Sequence, residues 1–312
     1  MPKIAVVGAG LIGRAWAMVF ARGGWEVTLW DGVDGVADHA RELTAEGLED
    51  LARHGLAANP KGAAARIGVA KSLEDAIAGV DLVQENTPER LDMKRDIFAR
   101  LDAAAAPNTI LASSTSALVT SLYTENLAGR SRCLVAHPVN PPHLVPIVEV
   151  CGAPWTSPDV MQRARDIYLS VGQAPIHVKK EVDGFVLNRL QTALLAESFR
   201  LVEEGVVTPQ DLDETIRNGL GLRWSFMGPF ETIELNAPGG INDYCARYGP
   251  FFRRIAADQP KAEVWDNGKT AAVSESWGPT LSPETHAAKT RWRDEQLAAL
   301  AAHKRAIKPF SA

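Results

Sequence analysis

The stretch Val6-Val7-Gly8-Ala9-Gly10-Leu11-Ile12-Gly13 decides how the chain is read. A short apolar run, Lys3–Val7, leads into three glycines spaced G-x-G-x-x-G, and an apolar-periodic segment, Leu11–Ala21, follows at once. A lone G-x-G-x-x-G means little, but between a strand and a helix it describes a phosphate-binding turn. Gly8 permits the tight turn, Gly10 lets the backbone approach a pyrophosphate, and Gly13 lets helix and strand pack closely. The orphan amides of Leu11, Ile12 and Gly13 at the helix start then face the negative charge. The next apolar run, Glu26–Trp30, ends at Asp31, where an acid accepts ribose hydroxyls and repels a 2′-phosphate. Gly32-Val33-Asp34 supplies no cation, so the expected cofactor is NAD rather than NADP.

Outward from this motif, β-like runs recur at Ile67–Ala70, Leu82–Gln84, Ile110–Ser113, Cys133–Ala136, Ile147–Val150 and Ile176–Lys179. Amphipathic segments such as Val36–His54 lie between them, and Ser72 and Ser157 stand as helix caps. Strand and helix in alternation predict an α/β domain, a Rossmann-like, doubly wound, mostly parallel sheet over residues 1–182. After Val182 only helical periodicity remains: Gly184–Glu204, a helix capped at Thr208, Leu222–Leu235, Ile241–Ala256 and a charged helix from about Ser282. Residues 183–312 are therefore expected to form an all-helical domain for substrate binding and dimerisation. The polar, glycine-containing stretch Asp258–Pro279 is expected to be a long surface connection.

Composition narrows the function. The 312 residues are 46% hydrophobic and 23% charged, which is the mix of a folded globular protein. Acidic residues outnumber Lys and Arg by 38 to 33, the wrong balance for a nucleic-acid binder. Cys133, Cys151 and Cys245 show no CxxC spacing, as in a reduced, cytoplasmic protein. No apolar stretch reaches membrane-spanning length and no signal peptide is recognised, so neither membrane nor secretion is expected.

Four polar positions stand out around the later strands: Ser116 after Ile110–Ala112, His137 after Cys133–Ala136, Glu149 inside Ile147–Val150, and Asn188 in the first helix past the boundary. Ligands of open α/β sheets bind beyond the carboxyl ends of strands, which places Ser116 and His137 near a nicotinamide. A carboxylate inside a β-branched run needs a partner, and a His–Glu pair would provide one while fixing the imidazole tautomer. Spacing alone also fits a structural histidine, a Glu anchoring a turn, a Ser cluster capping a helix and a surface Asn. His137, His143 and Glu149 are separated by six residues each, and the prolines between them break any helix, so no metal site is expected.

Several longer motifs resemble the L-3-hydroxyacyl-CoA dehydrogenase superfamily, and most closely its λ-crystallin / L-gulonate 3-dehydrogenase branch. They are Gly8–Arg14, Ala136-His137-Pro138-Val139-Asn140-Pro141-Pro142, Asp183–Gln191, Leu201–Gly205, Gly228–Thr232 and Arg291–Glu295. The resemblance implies that His137 is the acid/base, that Glu149 orients it, and that Ser116 and Asn188 hydrogen-bond the reacting oxygen. It further implies that Asp31 holds the adenosine ribose, that Glu89 and Lys94 are additional NAD contacts, and that the protein is a homodimer.

Where the acyl-CoA enzymes carry two aromatics after the histidine, this chain has Pro138-Val139. Where they run Gly-x-Gly-x-Pro-x-Gly-Pro, it has Gly219-Leu220-Gly221-Leu222-Arg223-Trp224. Asn140 and Arg223 are thus candidate substrate contacts, Arg223 through its fork of donors to a carboxylate. The expected activity is NAD-dependent oxidation of the 3-hydroxyl of a small, L-gulonate-like hydroxy acid. The alternatives are a 3-hydroxyacyl-CoA, carnitine or an aromatic hydroxymethyl substrate, or a crystallin-like structural or NAD-binding protein without turnover.

Overall fold

The computed structural model describes residues 1–307. They divide into two units. The first contains Met1–Asn188 and the residues from Thr285 onward, and the second is Arg189–Glu284.

The first unit is built on eight strands: β1 (Lys3–Val7), β2 (Glu26–Trp30), β3 (Ile67–Val69), β4 (Leu82–Glu85), β5 (Ile110–Ser113), β6 (Cys133–Pro138), β7 (Ile147–Gly152) and β8 (Ala174–Val178). Their order is β3-β2-β1-β4-β5-β6-β7-β8. Every neighbouring pair is parallel except β6 and β7. The chain reverses the direction of sheet growth at β1 and β4, and the carboxyl ends of these two strands frame the crevice where such sheets bind ligands.

Alternation along β1 shows why both faces must be covered. Ile4 and Val6 enter one apolar core, while Ala5 and Val7 enter another on the opposite side. The first core is centred on helix Leu11–Arg22, whose Trp16 and Phe20 are fully buried; Trp16 meets the Tyr168 ring of helix Pro158–Ser170 at 5.5 Å.

The final helix, Pro283–Ala306, departs from the expected domain division. It belongs to the first unit: Ala298 is buried in that unit's core, with Leu297, Ala301 and Ala302 packed against it. Sequence adjacency suggested the second domain because a helix face carries no mark of which distant surface it will cover.

The second unit is helical. It contains most of Leu187–Glu203, with Pro209–Thr215, Pro229–Leu235, Gly240–Ala256 and Asn267–Trp277. The single helix expected over Leu222–Leu235 is interrupted, because Gly228 stands outside the helix that Pro229 begins. The expected connection at Asp258–Pro279 is instead largely ordered. Val264 is buried, Trp265 packs on Phe199 at 5.4 Å, and Lys269 pairs with Glu203 at 3.1 Å. Tertiary contacts hold a segment whose composition reads as loop.

Candidate functional site

The glycine turn forms as its spacing demands. Gly8 has φ +90°, and a Cβ there would lie 2.8 Å from the Asn86 carbonyl carbon and oxygen. A Cβ on Gly13 would collide with the Gly8 carbonyl oxygen, whereas Gly10 faces open space. The helix start therefore has an unobstructed approach, with no side-chain cap on its amides. Asp31 ties the turn to β2. Its Oδ2 accepts from the Ala9 amide at 2.8 Å and its Oδ1 from the Val33 amide at 3.0 Å.

Gly8, Gly10, Asp31, Asn86 and Thr87 line one cleft of about 750 Å³. These features fit a dinucleotide: glycine backbone and helix amides for its pyrophosphate, and a carboxylate at the ribose end.

Two residues of this cleft escaped the sequence reading. Asn86 directly follows β4 and donates to the Gln84 carbonyl at 2.8 Å. The polar run Gln84-Glu85-Asn86-Thr87 after apolar Leu82-Val83 was the available signal. Arg100 also lines the cleft, its guanidinium 5.7 Å from the Trp30 ring centroid. Nothing local marked it, since it comes from a helix, Leu91–Ala104, distant in sequence from β2.

Glu89 and Lys94, which the resemblance implies are further NAD contacts, are both engaged by partners within the protein. Lys94 is buried, and its ammonium donates to both Glu85 oxygens at 2.8 Å and to the Thr87 carbonyl at 3.0 Å. Glu85 also accepts from Thr87 and from Ser113, so the pair is fully hydrogen-bonded. Lys94 thus braces Thr87 from beneath. The Glu89 carboxylate accepts from the Thr115 hydroxyl and from the Ser116 amide at 3.2 Å. Burial pushes its carboxyl up, but those hydrogen bonds and the charge of Lys94 outweigh it and hold the group below its ordinary range. Glu89 therefore fixes the loop that presents Ser116.

His137 lies within β6 rather than beyond its end, directly opposite Glu149 in the antiparallel register with β7. Nδ1 of His137 donates to Oε2 of Glu149 at 2.8 Å, and both residues are buried. Nε2 has no hydrogen-bond partner among the described residues. The imidazole packs on the Phe185 ring at 5.7 Å.

Oε1 of Glu149 accepts from the amides of Val186 at 2.8 Å and Leu187 at 3.0 Å. Gly184 and Phe185 both adopt positive φ, 74° and 47°, immediately before those amides and the start of helix Leu187–Glu203. Burial raises the Glu149 carboxyl, but the bonds from His137, Leu187 and Val186 prevail and keep it below the ordinary carboxylate value. The carboxylate is thus fully engaged on both oxygens, which holds the imidazole in one tautomer.

Asn188 and Ser116 meet as well. The Asn188 side-chain amide donates to the Ser116 carbonyl at 3.0 Å. His137, Glu149, Ser116 and Asn188 all belong to the first unit. Asn140 is exposed in the β6–β7 connection, in a cis peptide bond with Pro141. Arg223 is exposed in the second unit and makes no ion pair among the described residues. No group of three metal-ligating side chains forms among the described residues, and no helix among them is long and apolar enough to cross a membrane.

The chain matches known proteins over nearly its whole length. Residues 3–182 match the family described as 3-hydroxyacyl-CoA dehydrogenase, NAD binding domain, and residues 184–270 match its C-terminal domain. The chain is 40% identical to lambda-crystallin of Oryctolagus cuniculus over 311 residues, covering 98% of this chain and 97% of that one. It is 37% identical to L-carnitine dehydrogenase of Pseudomonas putida over 300 residues, covering 95% and 92%. Among solved structures, an NAD+-dependent 5-formyl-3-hydroxy-2-methylpyridine 4-carboxylic acid 5-dehydrogenase superposes with a TM-score of 0.85 at 30% identity, covering 99% of this chain and all of that one.

Proposed function

We propose, from the premise that this chain belongs to the 3-hydroxyacyl-CoA dehydrogenase family, that it is the NAD-dependent dehydrogenase of a small, L-gulonate-like 3-hydroxy acid. The observation that carries the reading is the buried His137–Glu149 pair, with Nδ1 committed at 2.8 Å and Nε2 left available. One relative is named for L-carnitine and one structural neighbour for a pyridine carboxylic acid, while two other neighbours are named for 3-hydroxybutyryl-CoA, so the free acid is the reading to test first.

The glycine turn, Asp31 and the amides of Leu11, Ile12 and Gly13 would hold the dinucleotide. Bound NAD supplies the acceptor for the hydride lost by the carbinol carbon. His137 takes the hydroxyl proton at Nε2, while Glu149 keeps Nδ1 protonated and stabilises the resulting imidazolium. Ser116 and Asn188 hydrogen-bond the reacting oxygen, and in the reverse direction stabilise charge developing on it. Asn140, in the same unit, is a further polar contact.

A homodimer accords with the exposure of Leu222, Phe230, Leu235, Phe251, Phe252 and Ile255 on the second unit. The three unpaired thiols suit a reducing compartment, the cytoplasm.

A rate panel decides the substrate. NADH formation would be followed with L-gulonate, L-carnitine, 3-hydroxybutyrate and 3-hydroxybutyryl-CoA. The highest kcat/KM is expected for L-gulonate. A clear preference for the thioester replaces the free-acid reading, and no turnover of any of them removes the proposed activity.

A further inference from the structure

Away from the dinucleotide cleft, the first unit gathers positive charge around a second cavity. This space, about 330 Å³, is lined by Arg22 at the end of helix Leu11–Arg22, by His143 in the β6–β7 connection, and by Lys304 and Arg305 of the final helix. Its remaining walls include Leu56 and Leu144, and no carboxylate among the described residues lines it.

The arrangement is electrostatically unbalanced. Arg22 donates to the His143 carbonyl at 2.9 Å, and Arg305 donates to the Leu56 carbonyl at 3.4 Å. Neither guanidinium, nor the Lys304 ammonium, makes an ion pair among the described residues. Burial, and then the charge of Arg305, lower Arg22 to about 10. Arg293 adds its charge toward His143 from the same final helix, although Asp294 pairs with it at 2.7 Å. Nδ1 of His143 is itself buried without a hydrogen-bond partner among the described residues. Lys304 and Arg305 are exposed, but Arg22 is largely withdrawn from water, so the repulsion it meets from Arg305 is screened less and an anion between them would relieve it.

We propose that this cavity is a binding site for a phosphate group, seated between Arg22 and the Lys304–Arg305 end of the final helix. Guanidinium donors suit oxyanion geometry, and a doubly charged ligand offsets two facing cations at once. Such a ligand pins the last helix to the end of helix Leu11–Arg22 and to the connection between His137 and Glu149. The free anion and the phosphate of a small organic monoester share this chemistry, and the apolar walls leave room for either.

The test is thermal unfolding of the full chain with NAD saturating, so that the glycine turn is already filled. Inorganic phosphate and glycerol 3-phosphate are each titrated against chloride at matched ionic strength. A saturable rise in Tm of about 2 °C or more is expected over the chloride control. In Lys304→Gln/Arg305→Gln the apparent affinity should weaken at least about tenfold. Should the double variant not fold, the same weakening is required of Lys304→Gln alone. A stronger response to glycerol 3-phosphate identifies an organic monoester, and an equal or weaker one the free anion. A Tm that follows ionic strength alone, or a variant affinity weakened by less than that, overturns the proposal.

Discussion

His137 and Glu149 stand directly opposite each other across the antiparallel β6–β7 step, joined by a 2.8 Å hydrogen bond between buried side chains. Twelve residues of sequence separate them, and the register of two strands brings them together. Neither side chain can turn without breaking bonds to the other or to the Val186 and Leu187 amides.

Replacing the imidazole tests its role in proton transfer. His137→Ala should lower kcat by about 10²–10⁴-fold, the usual contribution of a positioned general base. NAD affinity, measured by fluorescence titration, should stay near that of the unaltered protein, since the glycine turn is untouched. Near-normal turnover would remove His137 from the chemistry.

Glu149 makes a pH prediction with a definite sign. Its carboxyl is held below the ordinary range in the fold, because the bonds from His137 and the two amides outweigh the upward push of burial. Its stabilising contribution is therefore complete above the ordinary carboxylate pKa of about 4.3 and is lost as pH falls through the depressed folded value. Urea unfolding midpoints measured down the acid range should fall less steeply in Glu149→Gln than in the unaltered chain. Identical slopes would show that Glu149 does not carry the linkage.

Lys94 separates a cofactor contact from a structural brace. In Lys94→Met the Glu85 carboxylate is left buried without its cation, and stability should drop by about 3–5 kcal/mol. Adding Glu85→Gln should restore much of that loss, as shown by chemical denaturation of both variants. If Lys94→Met instead weakens NAD binding while stability holds, the brace reading fails.

His143 gives a second pH signature. Burial first, and then the charges of Arg22 and Arg293, lower its pKa from 6.5 to about 4. The unfolded chain therefore binds the extra proton first, and stability declines as pH falls from about 6.5 toward about 4. The accumulated loss is on the order of 3 kcal/mol. His143→Gln should flatten this part of the stability profile, read from Tm at successive pH values, and an unaltered profile would refute the linkage.

The parts of this protein that sequence made readable are those whose geometry is local. Gly8, Gly10 and Gly13 act within one turn, and Asp31 closes the next strand, so spacing reveals both. Glu149 was legible as a buried acid in need of a partner, but the face-to-face alignment with His137 depends on strand register. Lys94 and Glu85 are nine residues apart, yet the choice between a cofactor contact and an internal ion pair depends on which way the ammonium turns. The left-handed turn at Phe185 was hidden because a bulky aromatic is not the residue that ordinarily signals it. Helix Asn267–Trp277 was missed because its support comes from elsewhere in the second unit.

The final helix has a consequence for how the polypeptide is made. Ala298 occupies the same core as Trp16 and Phe20, so the nucleotide-binding half is finished only after the helical insert has been made and this helix has left the ribosome. Vectorial synthesis delivers the helical insert, Arg189–Glu284, before its host is complete. A nascent chain arrested after residue 282 would leave Leu144 and Leu56 without their covering helix, a bare apolar floor open to chaperones.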